Sequence, residues 1–382
     1  MRQQSGDASL LRRLNSAAIL RILRASDEVT LTELAKAAKV SRPTAEAIVE
    51  ELLVEGWAQE CEEGLGDRQR GRPARRYRFR AAARHVVGIG IGGSTIRAMT
   101  ADLGGAVVGS RTVGVPSDAD AAERIAAVVG LVEESAAELG LSSGELAAVG
   151  IGTTGVVDGE GRVVKSVRLR DWTGVELQAE LRKAITAPLL VENDMRLAVL
   201  AEHWRGVAQE CRDVVYLFTG NKLALGLLID GVPYRGAHAA SGELGEQPNG
   251  NWTAFGSVID YAMSVEPGEL RAPADMAEFA FERARTGEAA AVEAVERFAL
   301  RLGEGLVTVV NPLDPEMVVI GGALARGGEL LVGPIQSYLD RVCLYPPKVV
   351  ASELGRESIV VGAVRLALNL ADRVLFTAEV EV

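Results

Sequence analysis

The glycine-rich stretch GIGIGG at residues 88–93 constrains the fold more than any other segment of this chain. Gly88, Gly90 and Gly93 match the spacing of a dinucleotide-binding turn, but such a turn must lead from a strand directly into a helix. Here the glycines are followed by TIRAMTAD, which alternates as a second strand does. With a further glycine pair at 104–105, residues 85–115 predict three successive strands in hairpins and argue against a dinucleotide site.

Composition and charge divide the chain into two unlike parts. Its 382 residues, 48% of them hydrophobic, are enough for two or three compact units. Residues 1–84 hold 16 Lys and Arg against 12 Asp and Glu, whereas the remainder holds 25 against 40. A basic segment on an acidic body indicates that only the N-terminal part binds a polyanion. We expect a cytoplasmic protein without membrane contact, because no run of about 18 apolar residues and no leader-like segment is found.

The N-terminal segment predicts a helix-turn-helix. NSAAILRILRAS indicates an amphipathic helix capped by Asn15 or Ser16, and TLTELAKAAKV indicates a second helix capped by Thr32. After a short turn, SRPTAEAIVEELLVEG indicates a third helix that is capped by Ser41 and ends at Gly56. Three short helices with a tight turn between the last two are typical of this DNA-binding motif.

A β-hairpin follows and predicts the wing of a winged helix. WAQEC and RRYRF alternate as two strands do, and residues 68–80 contain seven arginines and no acid. Within them, RGRP resembles the core of an AT-hook, which lies in a narrow A·T minor groove. We expect the start of the third helix to contact base edges and phosphates through Ser41, Arg42, Thr44 and Glu46. We expect the wing to contact phosphates and the minor groove through Arg70, Arg72, Arg75 and Arg76.

The order of motifs along nearly the whole chain resembles the ROK family (repressors, open reading frames and kinases), in particular its winged-helix repressor branch. The motifs are RGRPARRYRF, VVGIGIGGSTIRA, AVGIGTTGVVDGEGRV, VENDMR, GAHAASGELGE and VVNPLDPEMVVIGGAL. The resemblance implies an α/β fold, in which the winged helix-turn-helix at residues 1–82 precedes a two-lobed, actin-like, sugar-kinase-like body. We expect the first lobe at 83–195, with a C-terminal helix at 360–382 packed back on it, and the second lobe at 196–359.

The resemblance also implies a sugar and nucleotide cleft between the lobes. In VENDMR, Asn193 resembles a sugar-binding residue, and Asp194 stands at the position of the base that accepts a sugar hydroxyl proton in active relatives. In GELGE, Glu243 resembles a carboxylate that binds sugar hydroxyls. The alternative for Asn193 and Asp194 is structural, because an Asn-Asp pair commonly caps a helix, here one beginning near Met195.

Three features that the family's kinases need are missing. Gly90 stands where the acid associated with the Mg-phosphate group belongs. The second phosphate loop reads TGNKLALG, in which we expect Lys222, Leu223 and Leu225 to crowd a site that needs bare backbone.

The zinc motif is the third missing feature. Its histidine position is Glu246, no cysteine follows, and its closing glutamate corresponds to Ile259. His238 matches a position that is not a ligand, and one histidine without thiols makes no zinc site. We therefore expect no metal, no cofactor and no phosphoryl transfer, and we regard Asp194 as a vestigial base.

Together these features predict a transcriptional regulator that acts as a repressor, whose inactive body dimerises and senses a sugar or sugar phosphate. We expect a homodimer or a dimer of dimers on double-stranded DNA. Two alternatives stay open: an ATP-dependent sugar kinase with a DNA-binding appendage, and a regulator with a dead cleft that responds to a protein partner.

Overall fold

The computed structural model describes residues 4–61, 74–244, 252–268 and 272–376. Three helices and three short strands form an N-terminal unit, called the head below: α1 Gln4–Arg24, β1 Val29–Thr30, α2 Leu31–Ala38, α3 Arg42–Val54, β2 Ala58–Glu60 and β3 Arg76–Phe79. The strands form an antiparallel sheet in the order β1-β3-β2, with Ala58 opposite Phe79. The predicted helix-turn-helix and hairpin are therefore present, and β1 adds a third strand.

Two predicted helix starts in the head are wrong. The first helix begins at Gln4, since residues 7–15 contain neither glycine nor proline to stop it, and Asn15 and Ser16 lie inside it. The cap of α2 is Thr30 rather than Thr32, because Glu33 stands three residues after Thr30. The Thr30 hydroxyl accepts from the Glu33 backbone N–H at 3.3 Å, and the Glu33 carboxylate accepts from the Thr30 N–H at 2.8 Å.

The first sheet of the body contains the three predicted strands around GIGIGG. It is ordered β10-β7-β4-β5-β6, antiparallel from β4 to β6 and parallel from β4 through β7 to β10. Its elements and their neighbours are β4 His85–Ile91, β5 Thr95–Asp102, β6 Val107–Gly114, α4 Ala121–Ala137, β7 Ala148–Thr153, β8 Val156–Val157, β9 Val163–Lys165, α5 Leu177–Arg182, β10 Leu189–Asn193 and α6 Asp194–Arg205.

The second body sheet is ordered β13-β12-β11-β14-β15, with the parallel pair β11 and β14 at its centre. Helices cover its core face, where Phe281, Phe298 and Leu302 are buried. Its elements are β11 Val214–Thr219, β12 Leu223–Ile229, β13 Val232–Pro233, α7 Gly256–Val265, α8 Pro273–Arg285, α9 Ala289–Leu313, β14 Met317–Gly322, α10 Glu329–Val342 and β15 Lys348–Ala351. Two sheets with this mixed order give the α/β, actin-like body that the sequence predicts.

The last helix, α11 Ser358–Phe376, returns to the first sheet and packs on β4, β7 and α6. Glycines allow the approach: a Cβ at Gly150 on β7 would clash with the Ala363 carbonyl oxygen, and one at Gly362 would clash with that of Leu197. These contacts leave no room for even a methyl group between helix and sheet. The residue limits of head and lobes, at 82, 195 and 359, remain a prediction.

The C-terminal end of α11 also holds the head. Phe376 lies edge-on to Trp57 and Phe79, with ring centroids 6.3 and 6.2 Å apart. The Arg24 guanidinium lies 5.2 Å from the Phe376 ring centroid, forms an ion pair with Asp372 and donates to the Leu103 carbonyl oxygen at 3.1 Å. Head and body consequently share one continuous apolar core. No helix in the described ranges is both long and apolar enough to span a bilayer.

We expect Gly150→Ala to lower the free energy of unfolding by about 1–3 kcal/mol, because its methyl group must displace α11. The matched control is Gly130→Ala in α4, where nothing lies within 4 Å of a new Cβ. That change should raise stability by about 0.5–1 kcal/mol, because alanine favours a helix over glycine. Urea unfolding of both variants measures the difference, and equal stability of the two would contradict the proposed close packing.

Candidate functional site

A cleft of about 140 Å³ lies where the carboxyl ends of β4 and β11 approach the N-termini of α6 and α11. Both sheets contribute to it, as the expected interlobe site requires. Its walls combine bare glycine backbone, apolar side chains and several charged groups: Gly90, Ile91, Gly92, Gly93, Thr95, Arg97, Thr154, Arg168, Asp194, Phe218, Arg356, Ile359 and Val360.

Asn193 acts as the N-cap of α6. Its Oδ1 accepts from the backbone N–H groups of Met195 at 2.9 Å and Arg196 at 3.1 Å, and its Nδ2 donates to the Gly155 carbonyl oxygen at 2.9 Å. The residue is buried and is not among the described side chains that line the cleft. The two contacts of Oδ1 are those of a helix cap, while a sugar-binding role for Asn193 stays a prediction.

Asp194 reaches the cleft, although only 7% of it is exposed. Its Oδ1 accepts from the Met195 N–H at 3.0 Å and from Asn193 Nδ2 at 3.2 Å. Burial raises the pKa of Asp194 from 3.8 to about 7, the positive charge of Arg168 lowers that pKa and the negative charge of Glu243 raises it. The carboxyl group is therefore divided between its neutral and charged forms near neutral pH.

Glu243 is exposed, and its backbone N–H donates to the Ala240 carbonyl oxygen at 3.2 Å. It lies close enough to affect the pKa of Asp194, but it is outside the described lining of the cleft. The structure thus brings the three predicted ligand residues into one region and leaves Asp194 alone in the cleft wall.

A buried charge cluster fixes the loop that carries Glu243, and sequence reasoning missed it. Glu192 accepts from Arg196 Nε at 2.6 Å and from Arg235 Nη2 at 2.5 Å. Arg196, which is 1% exposed, also donates to the carbonyl oxygens of Val157 at 2.8 Å and Ala239 at 2.9 Å. The pair of opposite charges four residues apart in the VENDMR motif is the sequence signal that could have predicted this cluster.

Gly90 lies in the cleft wall, directly opposite Arg97 in the antiparallel pair β4 and β5. A Cβ at Gly90 would lie 3.4 Å from Ile359 Cγ2, which is an ordinary van der Waals contact. The backbone at this position therefore does not exclude a Cβ atom.

The expected crowding of the second phosphate loop is wrong in its details. Leu225 is buried in the core of the second sheet, because alternation along β12 turns it inward together with Leu227. Leu223 packs against the same core, and Lys222 is exposed. Phe218, on the preceding strand, is the residue of this region that lines the cleft.

The described ranges contain no cluster of three His, Cys, Asp or Glu side chains that could hold a metal ion. Glu246, the expected replacement of the zinc histidine, lies outside the described residues. His238 is exposed, and Ile259 lies half-buried within α7.

The candidate nucleic-acid interface is the first turn of α3. Ser41 caps this helix: its Oγ accepts from the Thr44 N–H at 3.2 Å and lies 2.7 Å from Thr44 Oγ1. Arg42 and Glu46 are exposed beside it, and Thr44 is half-buried.

The wing residues are only partly described. Arg75 and Arg76 are exposed at the start of β3, and Arg75 Nε lies 3.3 Å from Glu60 Oε1. Arg70 and Arg72, with the RGRP segment, lie outside the described residues. DNA contacts of all these side chains stay a prediction.

The chain is similar to known proteins in both sequence and structure. The chain is 22% identical to the xylose repressor of Caldicellulosiruptor bescii over 95% of its own length and 98% of the repressor. It is 28% identical to the glucokinase of Thermotoga maritima, over 59% of this chain and 80% of that protein. A solved ROK family transcriptional regulator, a homologue of the E. coli MLC protein, superposes with a TM-score of 0.75 at 20% identity, covering 96% of this chain and 98% of the regulator.

Two family models match separate parts of the chain. The IclR helix-turn-helix domain matches residues 14–60, which contain the end of α1, all of α2 and α3, and β2. The ROK family model matches residues 86–256 and 262–369, the two-sheet body with its cleft. The chain therefore belongs to the ROK family and carries a helix-turn-helix at its N-terminal end.

Proposed function

We propose that this protein is a DNA-binding transcriptional regulator that acts as a repressor. The observation that carries the proposal is the exposed first turn of α3, capped by Ser41 on a helix-turn-helix head that shares an apolar core with the body. Such a turn presents backbone N–H groups and the Arg42 guanidinium to a duplex. Similarity to a xylose repressor over head and body together supports the same function.

The charges of α3 restrict how the helix can meet DNA. Its C-terminal half carries Glu50, Glu51 and Glu55, and Glu51 is paired with Arg12 of α1. These carboxylates would be repelled by phosphates, so the helix enters the major groove with its N-terminal turn first. The exposed arginines at the start of β3 then supply phosphate contacts beside it.

We infer that the working form is a homodimer, since symmetric binding to two half-sites requires two heads at a fixed spacing. The acidic body supplies the dimer contact and the sensing cleft, while the head supplies the positive charge. A ligand that favours one closure of the cleft changes the spacing of the two heads and thereby the affinity for DNA.

We further infer that the body does not transfer phosphate. Gly90 leaves the metal-phosphate position without an acid, and Arg97 lies opposite it. A magnesium ion and a guanidinium are both positively charged, so the arginine disfavours metal binding at this wall.

A sugar kinase is the second candidate, and Asp194 favours it. A carboxylate with a pKa of about 7 in a cleft is well placed to accept a hydroxyl proton. The glucokinase similarity supports this candidate but covers only 59% of the chain.

We expect Arg42→Ala to weaken DNA binding about tenfold, the loss for a contact of about 1.4 kcal/mol. The duplex is one that the wild-type protein selects from a random library, and fluorescence anisotropy measures Kd over a range of salt concentrations. The control is Arg297→Ala, an exposed arginine on α9 of the body. Equal affinities of the two variants would remove α3 from the interface.

We expect no release of ADP above background when the protein is incubated with Mg-ATP and a panel of hexoses and amino sugars. Wild type and Asp194→Asn should be indistinguishable in a coupled assay, because the metal-phosphate position lacks its acid. Turnover that Asp194→Asn abolishes would establish the kinase instead.

The stability of the native state should depend on pH through Asp194. Because its pKa rises from 3.8 to about 7 on folding, its contribution to stability is complete below about pH 4 and is lost as the pH rises through about 7. Asp194→Asn keeps an acceptor for the Met195 N–H and has no charge to bury. The Tm of the variant relative to wild type should therefore increase between about pH 5 and pH 8; an unchanged offset would argue against a buried, pKa-shifted carboxyl group.

A further inference from the structure

Three arginines from different elements line the cleft: Arg97 from β5, Arg168 from the loop after β9, and Arg356 from the turn before α11. Among the described residues, none of the three forms an ion pair or a hydrogen bond through its guanidinium. Arg168 acts on Asp194 only through its charge. Arg97 is half-buried, and Arg168 and Arg356 are exposed. Guanidinium groups that line one cavity and have no partner of opposite charge are available to bind an anion there.

Arg97 occupies an informative position. It pairs directly with Gly90, and residues that pair across an antiparallel ladder project from the same face of the sheet. Since Gly90 has no side chain, this part of the wall carries a positive charge where the resemblance to kinases implies a carboxylate. The sign of the local charge is thus reversed, from one that would hold a cation to one that would hold an anion.

Arg168 belongs to a loop that is held by hydrogen bonds within the chain. The buried Trp172 donates from Nε1 to Thr153 Oγ1 at 2.9 Å, which ties the loop to the end of β7. Thr173 Oγ1 accepts from the Ser166 N–H at 3.0 Å and donates to the Ser166 carbonyl oxygen at 2.9 Å, closing the loop on itself. A loop held in this way loses little conformational entropy when Arg168 binds a ligand.

The size of the cleft limits what the arginines can bind. Its volume of about 140 Å³ is below the range of about 300–1,000 Å³ that is usual for sites of drug-sized ligands. A monosaccharide with one acidic group suits this volume better than a nucleoside triphosphate does. Asp194, which lies in the same wall, offers a carboxyl group that can accept from or donate to a sugar hydroxyl.

We propose that the cleft binds a small anionic carbohydrate, with its phosphate or carboxylate group held by Arg97, Arg168 and Arg356 without a metal ion and its hydroxyls facing Asp194. The assignment rests on the proposed regulator function, because it names the effector of the same cleft. Guanidinium groups bind the planar edge of a carboxylate or two phosphate oxygens through paired N–H donors, which accounts for arginine rather than lysine at these positions.

The test is isothermal titration with EDTA present, using a hexose 6-phosphate, a hexuronate, the parent neutral hexose and inorganic phosphate as separate ligands. We expect at least one of the two acidic sugars to bind about tenfold or more tightly than the neutral hexose and inorganic phosphate do. The two acidic sugars distinguish a phosphate from a carboxylate ligand. Failure of both to bind, or equal binding of the neutral hexose or of inorganic phosphate, would overturn the assignment.

Variants locate the site. Arg97→Gln and Arg356→Gln should each weaken binding of the acidic sugar about tenfold or more, while the control Arg297→Gln on α9 should not change it. The ligand-free Tm of the two cleft variants should match that of wild type, because neither guanidinium forms an ion pair or hydrogen bond among the described residues that the substitution would remove; loss of binding with a lowered Tm would be ascribed to misfolding and would count against the assignment. Anisotropy with the selected duplex is measured separately, so that failure of DNA binding, which tests the regulator function, is distinguishable from failure of the anion site.

Discussion

The architecture depends on the close contact between α11 and the glycine-bearing strands of the first sheet. Gly150 and Gly362 let backbone meet backbone, so the helix lies against β7 and α6 with no side chain between them. One end of the helix is thereby held in the cleft wall, where Ile359 and Val360 lie, and the other end reaches the head at Phe376. Neither the cleft nor the position of the head is defined without this contact.

The charges of the cleft favour an anion over a cation. The wall that lacks an acid at Gly90 has Arg97 opposite it, and Asp194 lies in the same cleft with a raised pKa. Burial keeps part of the Asp194 population neutral near pH 7, which reduces its repulsion of an anion, and three guanidinium groups attract one. The residues that disfavour a metal ion are therefore the ones that favour an acidic ligand.

Local patterns predicted much of the fold. The three strands around GIGIGG, the Ser41 cap and the wing follow from alternation, capping and turn chemistry, which act within a few residues. The cap at Thr30 could also have been found, because Glu33 stands at capping-box spacing. The inward position of Leu225 depends on which face of β12 meets the core, and that choice is made by tertiary packing.

The cleft was less predictable for the same reason. Arg168 lines it from a loop that is held by the bond from Trp172 to Thr153, nineteen residues away in sequence, and nothing local marks that contact. Likewise, Asn193 serves the α6 cap, whereas the neighbouring Asp194 faces the cavity.

The 19 residues of α11 span about 27 Å. Because Phe376, Asp372 and Arg24 fasten its far end to the head, a tilt of about 5° at the cleft would carry the head about 2 Å, and no slack tether absorbs the motion. A change in the orientation of α11 at the cleft wall would therefore be carried directly to the head.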